Sequence, residues 1–328
     1  MHSKINKWTL EILSCPKSGR KLSLQESYLQ DNDGTGIYPI DDSGIVQFAQ
    51  KVASPDSRAQ QDHYDKVAES YLTNLNYPHT SEYLTYMDGR FRDFVGNQCS
   101  GNVLELCCGN SEAGKFFEAD FDHLIGVDIS YEMVKSARKR FPAENYSFHQ
   151  ADATQLPIAD TTIDTVIVFG GIHHINNREN LYSEIARVLK PGGYLVFREP
   201  ADDFFLWRWI RFVVYRFAPA LDHETEAPLR RKQTELVMAS CGFGDINWKT
   251  FGFIGFCLFM NSDVLFFNRF FQYIPFIRQI TRFFAAMDQF LANTRLLRNC
   301  GTIVFAACRK LPRSNKNAAS LPTDTGAC

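Results

Sequence analysis

The chain has 328 residues, of which 45% are hydrophobic, and its formal net charge at pH 7 is −2. This length accommodates one large domain or two, and the apolar content is sufficient for a buried core. A net charge this close to zero provides no general attraction to nucleic acid, so no nucleic-acid partner is expected.

Cysteine usage and hydropathy favour a cytoplasmic protein. The nine cysteines have no framework spacing, which is typical of a reducing compartment. Residues 1–13 lack a long apolar core, so no signal peptide is predicted. The longest apolar stretch, Phe251 to Met260, has 10 residues and is too short to span a bilayer.

The N-terminal residues read as a small separate module, assigned to residues 1–50. Residues 8–48 alternate apolar and polar side chains between Gly and Asp turns, which predicts three or four short β-strands. A polar linker at 51–58 follows. A helix is expected around HYDKVAESY, residues 63–71, and this helix carries Tyr64 and Tyr71.

The stretch NVLELCCGNS, residues 102–111, predicts a buried strand that turns into a helix beyond Gly109. A dinucleotide fold requires G-x-G-x-x-G at this turn, but those positions hold Cys107, Gly109 and Glu112. Because a carboxylate at the helix start would face an anionic phosphate, NAD, FAD and ATP are disfavoured. The alternative pattern, acidic-x-G-x-G-x-G, aligns with Glu105, Cys107, Gly109 and Ser111. One of its three glycines is therefore kept.

Four further segments continue an α/β series. A second strand, LIGVDIS, contains Asp128, which lies 23 residues after Glu105. A third strand precedes Asp152 and Ala153, and a fourth opens onto Gly170. EIARVLKPGGYLVF, residues 184–197, is a helix stopped by Pro and Gly before a fifth strand.

In this order the motifs resemble a class I S-adenosylmethionine-dependent methyltransferase of the type 11 kind, over roughly residues 60–250. The resemblance implies an enzyme with a Rossmann-like, seven-stranded α/β sheet, assigned here to residues 51–310. It also implies S-adenosylmethionine as cofactor. The predicted cofactor-binding residues are Tyr64, Glu105, Cys107, Gly109, Asp128, Ile129, Asp152, Ala153 and Gly170.

The resemblance gives several of these residues a role. Glu105 would pair with the ammonium of the amino-acid moiety, and Asp128 would accept both ribose hydroxyls. Asp152 and Ala153 belong to a segment similar to the family's adenine-binding segment, and Tyr64 would cover the cofactor. Two alternatives remain open, because Asp128 could be a helix N-terminal acid and Asp152 an ordinary turn residue.

Methyl transfer depends on alignment and exclusion of water, and an oxygen nucleophile also requires a base near its proton. The candidates are His173, His174, Glu199 and His223. The alternative for His173 is a structural histidine beside the cofactor. No metal is predicted. Residues 170–173, GGIH, lack the Asn/Asp-Pro-Pro-aromatic turn of enzymes that methylate amino groups of bases.

The C-terminal part departs from a minimal methyltransferase. Residues 1–200 hold 19 Lys and Arg against 27 Asp and Glu, whereas residues 201–328 hold 16 against 10. An aromatic cap is predicted from residues 202–218 and from an insertion at 252–297 between strands six and seven. Two helices are expected in the insertion, Ser262 to Tyr273 and Phe276 to Leu291, separated by Pro275. Residues 311–328 are predicted to be a disordered tail.

The cap allows two interpretations. It either packs only on itself, or forms a lid that admits a hydrophobic acceptor and rests on a membrane surface. The predicted acceptor is a small or lipid-like molecule methylated on oxygen, with nitrogen and carbon left open. The alternatives are a sugar or other polar acceptor, or an inactive cofactor-binding partner subunit. The oligomeric state does not follow from the sequence.

The N-terminal module resembles the Trm112-like, zinc-ribbon-derived modules that precede some methyltransferase domains. Its zinc ligands would fall at Cys15, Ser18, Asp33 and Gly36. Since tetrahedral zinc requires four suitable donors, the module is expected to lack zinc. A structural or partner-docking role is expected for it.

Overall fold

The computed structural model describes residues 5–49, 55–118, 120–217, 227–260 and 268–312. The N-terminal module contains a helix, α1 (Lys7–Ile12), and a small antiparallel sheet of β1 (Leu22–Leu24), β2 (Tyr28–Asp31) and β3 (Ile37–Pro39). The three short strands match the prediction. The prediction of strand structure was wrong for Lys7–Ile12, because these residues form a helix. The Asn6 side chain accepts from the Thr9 amide at 2.7 Å and caps a helix there.

Two helices, α2 (Pro55–Leu75) and α3 (Pro78–Val95), lead into the large domain. Its remaining elements are, in chain order, β4 (Gly101–Leu106), α4 (Glu112–Phe116), β5 (Phe121–Asp128), α5 (Tyr131–Arg140), β6 (Tyr146–Gln150), β7 (Ile163–Phe169), α6 (Arg178–Val188), β8 (Leu189–Pro200), α7 (Phe205–Phe217), α8 (Arg231–Ser240), β9 (Phe243–Phe251), α9 (Ile254–Phe259), α10 (Ile277–Asn293) and β10 (Ile303–Lys310).

The large sheet has seven strands in the order β6-β5-β4-β7-β8-β10-β9. Strands β4 to β8 pair in parallel, whereas β10 is antiparallel to both β8 and β9. This confirms the predicted Rossmann-like sheet of seven strands. The strand order reverses between β4 and β7, and open α/β sheets bind ligands at the carboxyl ends of strands beside such a reversal.

Both faces of the sheet are buried, which explains why its central strands are continuous apolar runs. In β4, Leu104 packs in the cluster of Ile125 and Val166 on one face. Its neighbour Val103 belongs to the cluster on the other face. The central strands are therefore held rigidly, and the loops at their carboxyl ends have a fixed origin.

The N-terminal module covers the edge of the sheet at β6. Gln47 forms a parallel bridge with Gln150, and the Phe48 amide donates to the Gln150 carbonyl at 2.8 Å. Trp8 stacks on His123 with ring centroids 4.3 Å apart. Covering an edge strand removes unpaired backbone groups that would otherwise be open to another chain. The predicted boundary at residue 50 lies outside the described residues.

The cap consists of α7, α9, α10 and a 3-10 helix at Asn268–Tyr273. Helix α10 matches the second predicted insertion helix. The first, predicted from Ser262 to Tyr273, is a 3-10 helix over its described residues, and α9 was not predicted. His223 and the predicted tail from residue 313 onward lie outside the described residues. Among the helices described, none is long and apolar enough to cross a membrane.

Candidate functional site

The loop after β4 keeps an unusual backbone conformation through residues that are not all glycine. Cys107, Gly109 and Ser111 have φ values of 49°, 49° and 54°. These are the three positions at which the acidic-x-G-x-G-x-G pattern has glycine, because glycine enters the left-handed region without steric penalty. The loop is therefore retained although two of its glycines are absent.

Glu105 lies beneath this loop rather than on a cavity wall. Ser111 Oγ donates to one carboxylate oxygen of Glu105 at 2.6 Å, and the Ala113 amide donates to the other at 2.9 Å. Burial raises the pKa of Glu105 to about 8. These contacts stabilise the loop and the start of α4. The pairing of Glu105 with an ammonium group stays a prediction.

Asp128 stands at the carboxyl end of β5, where the sequence placed a ribose-binding acid. The Gly109 amide donates to Oδ2 at 2.8 Å and the Ser130 amide to Oδ1 at 2.9 Å. Burial raises the pKa of this carboxyl above its usual range. A carboxylate oxygen can accept more than one hydrogen bond, so both oxygens can still receive ligand hydroxyls.

A cavity of about 430 Å³ opens above the carboxyl ends of β4, β5 and β7. This is within the size range of small-molecule and cofactor sites. A Cβ atom on Gly109 or Gly170 would meet no heavy atom within 4 Å, so both glycines leave space on the cavity side. The predicted residues on its wall are Tyr64, Cys107, Gly109, Asp128, Ile129, Asp152, Ala153, Gly170 and His174.

Asp152 has a local role as well as a place on the cavity wall. Its Oδ1 accepts from the amide and hydroxyl of Thr154 at 2.8 and 2.7 Å, and its Oδ2 accepts from Ser57 Oγ at 2.8 Å. This is the turn geometry considered as an alternative, and it coexists with a position at the cavity. Ser57 ties α2 to this turn.

Sequence reasoning missed part of the wall. The additional lining residues include Ser57, Gln60, Phe169, Asn176, Asn177 and Asn180. The three asparagines follow the predicted fourth strand at the edge where ligands bind. Their polar character at that position was the only signal available for them.

A second cavity, of about 280 Å³, adjoins the first. The two share Cys107, Gly109, Phe169, Gly170 and His174, and Tyr64 also lines both. The apolar part of the remaining wall comes from the end of α2, from α3, from the α9 segment and from the start of β10, and the polar part includes Asn110, Glu112, Arg140 and Arg198. Its apolar members include Leu75, Leu84, Met87, Phe256, Met260 and Ile303.

His173 faces the second cavity and is oriented by Glu199. The His173 Nδ1 lies 2.8 Å from Glu199 Oε2, and the Glu199 carboxylate also accepts the amides of Gly171 and Ile172 at 2.8 and 2.9 Å. Glu199 is fully buried. When the neutral ring donates from Nδ1 to this carboxylate, its lone pair is on Nε2.

His174 contacts a different partner. Its Nε2 lies 2.7 Å from the Tyr64 hydroxyl, and the two rings meet edge to face. The structure therefore brings together His173, His174 and Glu199 of the predicted catalytic set. His223 lies outside the described residues. The part of the chain that the structure describes contains no cluster of three or more His, Cys, Asp or Glu side chains that could hold a metal ion.

An ion-pair network borders the second cavity and was not predicted as part of the site. Arg198 donates to Asp88 at 2.7 Å and to Glu112 at 2.6 Å, and its guanidinium lies 4.7 Å from the Phe169 ring centroid. Burial raises the pKa of Asp88 to about 6 despite this partner. The network places Arg198 and Glu112 on the polar part of the cavity wall, with Asp88 behind them.

The fold and this loop resemble those of class I S-adenosylmethionine-dependent methyltransferases. Residues 104–197 match the family described as "Methyltransferase domain".

Among curated proteins, the chain is 31% identical over 115 residues to the ubiquinone/menaquinone biosynthesis C-methyltransferase UbiE of Desulfotalea psychrophila. That match covers 33% of this chain and 47% of the relative. An O-methyltransferase of Pyrenophora dematioidea is 32% identical over 99 residues, which is 29% of this chain and 37% of that protein. The chain thus spans about half the length, or less, of these relatives.

Among solved structures, the phosphoethanolamine N-methyltransferase 2 of Haemonchus contortus in complex with S-adenosyl-L-methionine has a TM-score of 0.52 at 16% identity. The match covers 80% of this chain and 61% of that one. At this identity the likeness concerns the fold.

Proposed function

We propose that this protein transfers a methyl group from S-adenosylmethionine to a small-molecule or lipid-like acceptor, through an oxygen nucleophile. The observation that carries the proposal is the pair of adjoining cavities. One is walled by the cofactor residues of the methyltransferase pattern, and the other is apolar with an oriented histidine. Shared residues such as Cys107 and Gly170 mark the place where donor and acceptor would meet.

The cofactor cavity fits the methyl donor. Asp128 would accept the ribose hydroxyls, and Gly109 and Gly170 leave room for the ligand backbone. Ile129, Ala153 and Asp152 would line the adenine side, with Tyr64 covering the site from α2. When bound, S-adenosylmethionine supplies a methyl group on a positively charged sulfur.

His173 would act as the base. Its Nε2 would take the proton that the acceptor hydroxyl loses, while Glu199 stabilises the resulting imidazolium and fixes the ring orientation. The low exposure of the His173 side chain, 12%, limits competition from water. The apolar residues Leu84, Met87 and Phe256 support an acceptor with a hydrophobic body.

Methylation on carbon is the second candidate, because a relative is named as a C-methyltransferase. Carbon beside a phenolic hydroxyl becomes nucleophilic when that hydroxyl loses its proton, so the same histidine would serve. An isotope-labelled methyl donor and carbon NMR of the product distinguish the two outcomes.

The first prediction concerns His173. With hydroxylated aromatic and prenylated compounds as acceptors, His173→Gln should lower the rate of methyl transfer by roughly 10²–10⁴-fold, since a general base is lost. The dissociation constant for S-adenosylmethionine should stay within about twofold, because His173 does not line the cofactor cavity.

His123→Gln, which changes a histidine stacked on Trp8, is the matched control and should retain the parental rate. A His173→Gln variant that also retains it would exclude the proposed base. A protein that binds the cofactor but transfers no methyl group to any acceptor would favour the inactive partner subunit.

A lipid-like acceptor would be taken from a bilayer, so peripheral association with a membrane is compatible with this function. For the N-terminal module we propose a structural role at the β6 edge. Its resemblance to Trm112-like modules stays a prediction. Cys15 Sγ lies 3.1 Å from the Tyr38 hydroxyl, so a buried hydrogen-bonded pair occupies the position of the first zinc ligand.

A further inference from the structure

The cap exposes a large apolar surface in two stripes. On α7, Phe205, Trp209 and Phe212 follow at spacings of four and three residues, which places them on one side of the helix. On α10, Ile280, Phe283 and Phe290 follow at spacings of three and seven. Four of these rings, Trp209, Phe212, Phe283 and Phe290, are 64, 69, 67 and 69% exposed.

The short segment before α10 adds to this surface. Phe270, Tyr273, Ile274 and Phe276 are all exposed. Large apolar side chains that are exposed in such numbers within one part of a fold indicate a contact with protein or membrane. Exposed Trp and Tyr together with Phe are the side chains that membrane interfaces favour.

The charges of the cap indicate whether its partner is a protein or a membrane. Residues 205–217 and 268–300 contain eight arginines, no lysine and a single acid, Asp288. Asp288 is buried, so it contributes no negative charge to the surface. Arg278 and Arg282 pair with Glu82, and Arg211 pairs with Asp202, whereas Arg208, Arg269, Arg295 and Arg298 are exposed. Because this surface is both aromatic and cationic, it is complementary to anionic headgroups above a hydrocarbon layer. A second copy would bring like charges together.

The α9 segment connects this surface to the second cavity. Phe256 and Met260 line that cavity, and Phe259 packs against Phe284 on the inner side of α10. We propose that α7, the 270–276 segment and α10 dock on an anionic lipid surface, which presents a membrane-dissolved acceptor to the second cavity. The docking itself is independent of catalysis, and only its purpose rests on the proposed function.

The test is co-sedimentation of the full chain with phosphatidylcholine vesicles, with and without phosphatidylglycerol. The parent should bind the anionic vesicles at least about tenfold more tightly than the neutral ones, and raised salt should weaken this binding. The combined variant Phe212→Ser, Phe283→Ser and Phe290→Ser should lose at least about tenfold in vesicle affinity.

Ile37→Ser with Leu236→Ser is the matched control, because both side chains are exposed and apolar but lie outside the cap. This control should bind vesicles as the parent does. Titration with S-adenosylmethionine should be unchanged in every variant, which separates loss of docking from loss of the proposed function. The proposal is overturned if the parent does not bind anionic vesicles, or if the triple variant binds them as tightly as the parent. It is also overturned if the parent self-associates without binding vesicles and the triple variant does not self-associate, because the surface would then bind a second copy.

Discussion

Cys107 has a strained backbone conformation in the candidate site. Its φ of 49° is left-handed, and a side chain in that region costs about 1–2 kcal/mol relative to the right-handed region. Its Cβ would clash with a side chain at position 171, since a Cβ built there lies 2.4 Å away. The loop therefore depends on Gly171 as well as on its own three left-handed residues.

The second prediction isolates this strain. Cys107→Gly should be more stable than Cys107→Ala by about 1 kcal/mol, because glycine adopts positive φ freely and alanine does not. Denaturant unfolding of both variants at pH 7 measures the difference.

Ser111→Gly is the comparison at the other left-handed position that lacks glycine. The relieved backbone strain should be offset by the loss of the hydroxyl that donates to Glu105 and caps α4, so stability should stay within about 1 kcal/mol of the parent. Alanine and glycine variants of Cys107 that are equally stable would contradict the strain argument.

For Glu105, the motif predicts the position of the residue but not the contacts of its side chain. The pattern places an acid at the end of β4, and the structure has it there. The direction of its side chain depends on Ser111 and the amide of Ala113, whose donors turn the carboxylate into the loop. Residue type and spacing therefore predicted the position, while local hydrogen bonding decided the contact.

At the scale of elements, the buried carboxylate of Asp288 on α10 joins the cap helices α9 and α10 to α3. It accepts the Tyr83 hydroxyl of α3 at 2.6 Å and the amides of Phe253, Gly255 and Phe256 at 3.0–3.1 Å. These amides are the unpaired donors at the start of α9. The Asp288 carboxylate thus holds the segment whose Phe256 lines the second cavity.

The third prediction is that Asp288→Ala lowers the free energy of unfolding by roughly 3 kcal/mol, because several buried donors lose their acceptor. The KM for the acceptor should rise, while the dissociation constant for S-adenosylmethionine should be unchanged. Gln289→Ala, one position along α10, should change stability by less than about 0.5 kcal/mol. Equal stability losses in the two variants would show that Asp288 has no special role.

The sheet could be predicted from the sequence because each central strand is an apolar run bounded by turn residues. Helix α10 could be predicted from its periodic pattern. Helix α9 could not, since the acceptor for its first amides is 32 to 35 residues further along the chain. For α9, a contact with a distant element therefore outweighs local propensity. The helix at Lys7–Ile12 differs, because its N-cap Asn6 is a local signal, and its Trp8 also stacks on His123 of β5.

At the scale of the whole molecule, His149 links the N-terminal module to the large sheet. The Val46 amide donates to His149 Nδ1 at 3.1 Å, so the ring carries its proton on Nε2, which lies 2.7 Å from Ser147 Oγ. Burial lowers the pKa of His149 to about 3. Protonation at Nδ1 would remove the acceptor for Val46.

The fourth prediction follows from the sign of this shift. Between the pKa of about 6.5 in the unfolded chain and the folded value, the unfolded state binds more protons, so stability falls as the pH falls. His149 should therefore account for a loss of about 2 kcal/mol between pH 7 and pH 5.

His149→Asn retains an acceptor for Val46 but does not titrate. Its unfolding free energy should differ between the two pH values by about 2 kcal/mol less than that of the parent. Denaturant unfolding at both pH values measures this, and an identical pH dependence in the two proteins would contradict the prediction.

The central claim is that the cavity at the carboxyl ends of β4, β5 and β7 binds S-adenosylmethionine through Asp128. Calorimetric titration of the purified chain tests it most directly, with Asp122→Ala as the matched control, because Asp122 is an exposed acid on the same strand. We predict micromolar binding by the parent and the control. Binding to Asp128→Ala should be at least about tenfold weaker, since hydrogen bonds to a charged acceptor are lost. An absence of binding by the parent, or equal affinity in Asp128→Ala, would contradict the account.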